Sequence, residues 1–153
     1  MTLLRAEGLT VEELTVWQML QRAQVRVTRH LEAELLVAHD LPLASYEVLM
    51  QLAEAPRRRL RMNDLAGRVL LSRSGLTRLI DRLQRDGLVS REACEDDARG
   101  LFAVLTDRGA ERLTEATPTY LRGIRTQFLD LLDAEEIGQV RAMLAKLDIT
   151  GAP

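Results

Sequence analysis

The chain has 153 residues, 46% of them hydrophobic, with a formal net charge of −2 and a pI near 5.8, which suits one globular domain with enough apolar content for a core. No apolar run approaches the roughly 18–20 residues of a membrane span, and the N-terminal stretch has one arginine and no apolar leader core, so the composition excludes a membrane protein and carries no secretory signal. The lone Cys94 excludes an internal disulfide framework and a multi-thiolate metal site, and fits a reducing cytoplasm.

In chain order, Thr10 followed by Val11, Glu12 and Glu13 predicts an N-cap with acids in the first turn. Leu14, Trp17, Leu20, Val27, Leu31, Leu35 and Ala38 then form one apolar stripe on a helix of about 28 residues, roughly 40 Å long. That length outreaches the core of so small a domain, and part of the stripe is expected to pack on another subunit. Asp40-Leu41-Pro42 ends the helix. A second helix spans 45–55 with Tyr46, Val48, Leu49 and Leu52 inward, and a third spans 62–69 with Met62, Leu65, Ala66 and Val69 inward. Ser72 caps a fourth whose buried face is Leu76, Leu79, Ile80 and Leu83, and Gly87 stops it in left-handed geometry. Leu88, Val89 and Arg91 enter an extended segment, 95–100 form a polar turn, and 101–105 return as a strand, which makes a short hairpin. Thr106 and Asp107 cap a fifth helix that Pro118 is expected to bend or break. Asp133 and Glu136 have capping-box spacing and open a final helix with Ile137, Val140, Leu144 and Leu147 inward. The fold class is mainly α with a small β-hairpin wing.

The net charge argues against nucleic acid only as an average. Twenty of the 21 basic residues are Arg, a bias that genome composition accounts for, but their placement is informative. Residues 57–91 hold ten arginines against three acids, a local net of +7, so the other 118 residues carry −9. Two short helices, a tight turn and a hairpin make a winged helix-turn-helix. Opposite the apolar face of its second helix lie Ser74, Thr77, Arg78, Asp81 and Arg85, with Arg73 near the start. Arginine can bond bidentately to guanine, and Ser or Thr can reach phosphate or a base edge. Asp81 is a liability beside phosphate and is expected to pair with Arg78, Arg82 or Arg85.

The ordered set Asp64-Leu65-Ala66, Leu71-Ser72-Arg73-Ser74-Gly75-Leu76-Thr77-Arg78-Leu79-Ile80-Asp81-Arg82-Leu83, Asp86-Gly87-Leu88-Val89, Asp97-Ala98-Arg99 and Leu105-Thr106-Asp107-Arg108-Gly109 resembles the MarR family of bacterial transcription regulators, densely over about residues 41–109. The resemblance implies a single domain over 1–153, with 41–105 as a winged helix-turn-helix DNA-binding module and with 1–40 and 106–153 as dimerisation helices. It implies a cytoplasmic homodimer that binds double-stranded DNA at a pseudo-palindromic operator, as a ligand-responsive repressor. Ser72, Arg73, Ser74, Thr77 and Arg78 would enter the major groove, Arg82 and Arg85 would lie nearer phosphate, and Arg91 would be a further phosphate contact. In the wing, Asp97 would pair with an arginine and Arg99 would approach the minor groove. Gly100 and Leu101 follow Arg99 where other members carry a second basic residue.

A small phenolic or lipophilic effector is a further implied partner, with Trp17, His30 and Tyr46, and less directly His39 and Met50, as candidate contacts. Trp17 and Tyr46 read equally as core residues. Cys94 lies in the wing rather than the first helix, against a thiol sensor. No phosphate-binding loop, nucleophile elbow, C-x-x-C or H-E-x-x-H is present, so the reading is non-enzymatic with no cofactor and no metal. A winged helix used for protein contacts, or a regulator without ligand response, are the alternatives.

Overall fold

The computed structural model describes residues 8–69, 71–94 and 97–147, with the backbone alone at 97–99. The elements are α1 (Val11–His39), α2 (Leu43–Glu54), β1 (Arg59–Arg61), α3 (Met62–Arg68), α4 (Arg73–Arg85), β2 (Val89–Cys94), β3 (Asp97–Leu105), α5 (Asp107–Gln127) and α6 (Ala134–Ala145). They fall into two compact units, Glu32–Tyr120, and Met1–Leu31 with Leu121–Pro153.

The first of these units holds most of the buried apolar residues. Leu35, Tyr46, Leu49, Leu52, Leu65, Leu76, Ile80 and Leu83 are almost fully buried, which confirms the inward faces expected for α2 and α4. Its sheet has the order β1-β3-β2, all antiparallel. The hairpin expected from sequence is β2 and β3; β1 is an additional edge strand. Leu60 enters the core while Arg59 and Arg61 stay on the other face, an alternation of period two. The long arginine run around it masked that pattern.

Other departures from expectation have local causes. Helix α2 starts at Leu43 rather than Ser45, because the Glu32 carboxylate on α1 accepts the Leu43 N–H at 2.5 Å. Helix α5 runs through Pro118 without interruption. Its neighbours are anchored: Ala116 is fully buried, Thr117 bonds the Leu113 carbonyl at 2.7 Å, and Thr119 bonds His39 Nε2 at 2.9 Å. The C-terminus of α1 is closed by Asp40 at φ +48° and by Arg112, which donates to the His39 carbonyl, a cation on terminal helix carbonyls.

In the other unit the two helix starts form as expected. Thr10 and Glu13 bond each other's backbone N–H at 2.7 and 3.1 Å, and Asp133 and Glu136 form a full capping box. Its apolar faces, however, are left uncovered by the chain. Trp17, which also read as core, is 56% exposed, and Ile137, Leu144 and Leu147, expected inward, are 40–61% exposed. Val140 is partly covered. Among the described residues no helix is long and apolar enough to cross a membrane.

One close approach is decisive for the wing-bearing unit. A Cβ on Gly109 would lie 2.1 Å from the Leu88 carbonyl oxygen and 2.7 Å from Leu105 Cδ1, and a backbone atom cannot yield as a flexible side chain can. Gly109→Ala is therefore expected to cost about 3 kcal/mol, read as a lowered midpoint in thermal or urea unfolding. An unchanged midpoint would show that α5 can move away from the β2 entrance at little cost.

Candidate nucleic-acid interface

Helix α3 ends at Arg68, with the Val69 N–H on the Leu65 carbonyl at 3.1 Å, and α4 opens five residues further on, at Arg73. Ser72 caps α4: its Oγ accepts the Gly75 N–H at 3.1 Å, and its carbonyl accepts Leu76 N–H at 2.9 Å. Gly87, at φ +73°, closes the other end. With Leu76, Leu79, Ile80 and Leu83 in the core, the opposite face is exposed along its whole length: Ser72, Arg73, Ser74, Thr77, Arg78, Asp81, Arg82 and Arg85. The structure thus places every α4 residue nominated from sequence on one solvent-facing side. Among the described residues neither Arg73 nor Arg78 has a carboxylate partner.

Asp81 is paired, but not with the expected arginine. Arg91 Nη2 donates to Asp81 Oδ1 and Arg91 Nη1 to Gln84 Oε1, both at 2.6 Å. The reason is strand geometry. Val89 and Arg91 are two apart on β2 and share the face turned toward α4, whereas Ser90 and Glu92 point the other way. Arg91, nominated as a phosphate contact, is thus largely turned inward, and Arg85 reaches the Asp81 carbonyl at 3.4 Å rather than its carboxylate. Arg82 is exposed and donates to the buried Ser45 hydroxyl at 3.2 Å, which anchors α4 to α2.

The outer face of the sheet carries residues the sequence reading counted only as charge. Phe102 lies under the Arg59 and Arg61 guanidinium groups, at 4.6 and 5.7 Å from its ring centre, and Arg59 also reaches Glu92 at 3.4 Å. The backbone of Asp97 and Arg99 lies in β3, but the side chains of both lie outside the described residues; of the polar turn expected at 95–100, residues 95–96 also lie outside them, while 97–100 belong to the strand, which starts four residues earlier than expected. Cys94 is buried.

The candidate effector residues are dispersed. Trp17 and His30 belong to one unit and Tyr46 to the other. Tyr46 is sealed in the core, its hydroxyl 3.2 Å from Thr117 Oγ1 and its ring 4.3 Å from that of Tyr120. Burial raises the hydroxyl pKa of both tyrosines; the Thr117 bond offsets this in part for Tyr46, and the nearby charge of Glu47 adds to it for Tyr120. A cavity of about 590 Å³ in the same unit is lined instead by Asp40, Ser45, Arg82, Asp86, Arg108, Glu111, Arg112 and neighbours, without Tyr46. Among the described residues no cluster of His, Cys, Asp and Glu could hold a metal ion.

A capped helix whose Arg73 and Arg78 have no carboxylate partner among the described residues, preceded by a short helix and followed by an antiparallel wing, defines a winged helix-turn-helix protein. The sequence model of the MarR family matches residues 39–100. Among curated proteins, the HTH-type transcriptional repressor YetL of Bacillus subtilis (strain 168) is 30% identical over 107 residues, 70% of this chain and 64% of the relative, so the match spans just under two thirds of that protein. Among solved structures, Sco3205, a MarR family transcriptional regulator from Streptomyces coelicolor in complex with DNA, superposes with a TM-score of 0.88 at 35% identity over 96% of this chain and 92% of that one. AbsC, a MarR family regulator of the same organism, gives 0.85 at 35% identity over 93% and 95%. The chain belongs to the MarR family of transcriptional regulators.

The α4 cap is open to direct measurement. Ser72→Ala is expected to cost about 1 kcal/mol of stability, while Ser72→Thr, which keeps an acceptor oxygen, retains most of it. Equal midpoints for the two variants would show that the cap bond is energetically silent.

Proposed function

We propose that the protein is a sequence-specific DNA-binding repressor that acts as a homodimer on a pseudo-palindromic operator and responds to a small ligand. The observation that carries the DNA-binding part is the outward face of α4, where Ser72, Arg73, Ser74, Thr77 and Arg78 are all exposed and the two N-terminal arginines have no acidic partner among the described residues. On this reading those five side chains enter the major groove, with Arg78 placed to read a guanine edge. Arg82 and Arg85 lie toward backbone phosphate, and the wing, with Arg91 at its base, Asp97 bracing it and Arg99 near its tip, follows the adjacent groove. Residues 41–105 then form the DNA module, and 1–40 with 106–153 the dimerisation helices. Sco3205, 35% identical, was solved on DNA, which supports the same use of this chain.

Dimerisation is supported by the apolar residues that the chain leaves in solvent: Val16, Trp17, Met19 and Leu20 on α1, and Ile137, Met143, Leu144 and Leu147 at α6. Soluble monomers rarely leave so many uncovered, and a two-fold interface would bury the same faces on both chains. A dimer would also set two recognition helices about one DNA turn, roughly 34 Å, apart. For the ligand response the supporting observation is the cavity of about 590 Å³ lined by Asp40, Ser45, Arg82 and Arg112, since Tyr46 is sealed in the core.

Two measurements test this reading. In binding titrations against single-base variants of an operator selected by the protein, Arg78→Ala is expected to lose about 1–3 kcal/mol at one position and to become indifferent to the base there; an equal loss on every sequence would remove its base-reading role. In sedimentation, the wild-type chain is expected to run as a dimer and Leu144→Glu as a monomer with weakened operator binding. A wild-type monomer that binds the full operator with unchanged affinity would contradict the dimeric reading.

A further inference from the structure

The cavity of about 590 Å³ lies wholly within the wing-bearing unit, between the end of α1, the start of α2, the second half of α4 and the first half of α5. Its volume is in the ordinary range for a small-molecule site, but its walls are not those of an apolar pocket. Along α5, Arg108, Glu111, Arg112 and Glu115 recur at steps of three, one and three, which puts both signs of charge on one face of the helix. Arg82 and Asp86, one turn apart at the C-terminal end of α4, and Asp40, at the end of α1, line the same space. Three guanidinium groups thus meet four carboxylates, and none of the seven takes part in an ion pair among the described residues. Arg82 donates to the buried Ser45 hydroxyl at 3.2 Å and Arg112 to the His39 carbonyl, and both of those partners are neutral. Opposite charges three or four residues apart on a helix can pair with each other. Here they stay apart, so both signs of charge remain available in the cavity.

We infer that this cavity seats a zwitterion of about dipeptide size, its carboxylate on Arg82, Arg108 and Arg112 and its ammonium on Glu111 and the neighbouring acids, in place of the phenolic or lipophilic effector that the family resemblance implies. The inference rests on the ligand-response reading and deepens it by naming the chemistry of the ligand. A lipophilic molecule would strip water from seven charged groups and return few bonds to them. An anion alone would satisfy the arginines but meet four carboxylates, and a cation alone would do the reverse. A ligand with both signs of charge pairs with both sets. The two ends of a dipeptide lie roughly 7 Å apart when extended, enough to reach an acid and a base about one helical turn, or 5.4 Å, apart along α5. The site also acts on α4. A carboxylate that recruits Arg82 competes with Ser45 for its N–H and loosens the tie between α4 and α2. On the DNA-binding reading it draws Arg82 away from phosphate as well, so the bound ligand weakens operator binding.

The test uses dipeptides built from Ala, Gln, Leu and Phe in three forms, with both ends free, N-acetylated or C-amidated, beside salicylate as a phenolic acid. Binding is read by calorimetry and by the unfolding midpoint of the full chain. At least one free dipeptide is expected to bind and raise the midpoint, and blocking either end is expected to weaken it about tenfold or more, while salicylate leaves the midpoint unchanged. Glu111→Gln is expected to weaken the free dipeptide by about tenfold and to leave the N-acetylated form unaffected, since that form has no ammonium to pair. Arg108→Gln should do the same for the free and the C-amidated forms. Midpoints of the unliganded variants are compared, and Glu111→Gln, at an exposed position, carries the test should Arg108→Gln unfold. The bound dipeptide is further expected to weaken wild-type binding to a duplex that the protein itself recovers from a random pool. Free and blocked forms that bind equally, or no dipeptide that binds, would overturn the zwitterion seat. Salicylate that binds and releases the duplex while the dipeptides do neither would overturn the seat and leave the ligand-response reading standing. A dipeptide held by both ends with duplex affinity unchanged would instead keep the seat and overturn the ligand response.

Discussion

The placement of α4 depends on one threonine. Thr106, at the end of β3, donates its hydroxyl to the Gly87 carbonyl at 2.7 Å and accepts the Gly109 N–H at 3.0 Å, while its own N–H bonds the Leu88 carbonyl at 3.2 Å. A single residue therefore joins the stop of α4, the entrance to the wing and the first turn of α5. The two flanking glycines are the steric condition for this junction. Gly87 supplies the left-handed turn that reverses the chain out of α4, and Gly109 allows α5 to start in contact with the Leu88 backbone. The Gly109 N–H, in the first turn of α5, would otherwise be a helix-end orphan, so a bond that fixes direction also satisfies that terminus.

Arg91 adds a second tie of a different kind. The Thr106 junction acts through backbone at one end of β2, whereas Arg91 reaches two residues of α4 from the strand itself, Asp81 and Gln84. With its Asp81 side half exposed, this ion pair contributes modestly to stability, on the order of 1 kcal/mol or less. Its effect on charge is larger: it cancels an acid on the outward face of α4 and withdraws an arginine from the surface in the same step. The cations left facing solvent on α4 are those of its outer edge.

Much of this was readable from sequence, and the failures share a cause. Helices α1, α4 and α6 and their caps follow from patterns within one turn, such as Thr10 with Glu13, Ser72 with Gly75 and Asp133 with Glu136. So does the buried face of α4, since four apolar residues at helical spacing fix it. What was missed depends on partners distant in the chain. The start of α2 is set by Glu32, strand β1 exists because β3 pairs with it some 40 residues later, and the partner of Asp81 comes from the wing. The Arg91 pairing had a sequence signal that went unused: Val89 is apolar and two residues away, so period-two alternation turns Arg91 to the same side. For Trp17, Ile137, Leu144 and Leu147 the periodicity was right and the inference of burial within the chain was wrong, because an apolar stripe marks which face of a helix is apolar and not what packs on it.

The whole-chain charge of −2 acquires a meaning from this arrangement. A uniformly basic domain would bind any duplex through phosphate alone, since that attraction carries no sequence information. Here the segment 57–91 is at +7 and the remainder at −9. Screening lengths of about 8 Å at physiological salt confine each charge to its neighbourhood. Phosphates near the arginine segment are therefore attracted, while those within a screening length of the acidic remainder are repelled. On the DNA-binding reading, a duplex held in the α4 register lies against the arginine segment together with the acids of the wing, such as Glu92, whereas one held against the remainder alone meets a net repulsion. On the DNA-binding reading, the acidic remainder thus lowers affinity for misplaced DNA more than for correctly placed DNA, which is a contribution to specificity that involves no base contact at all.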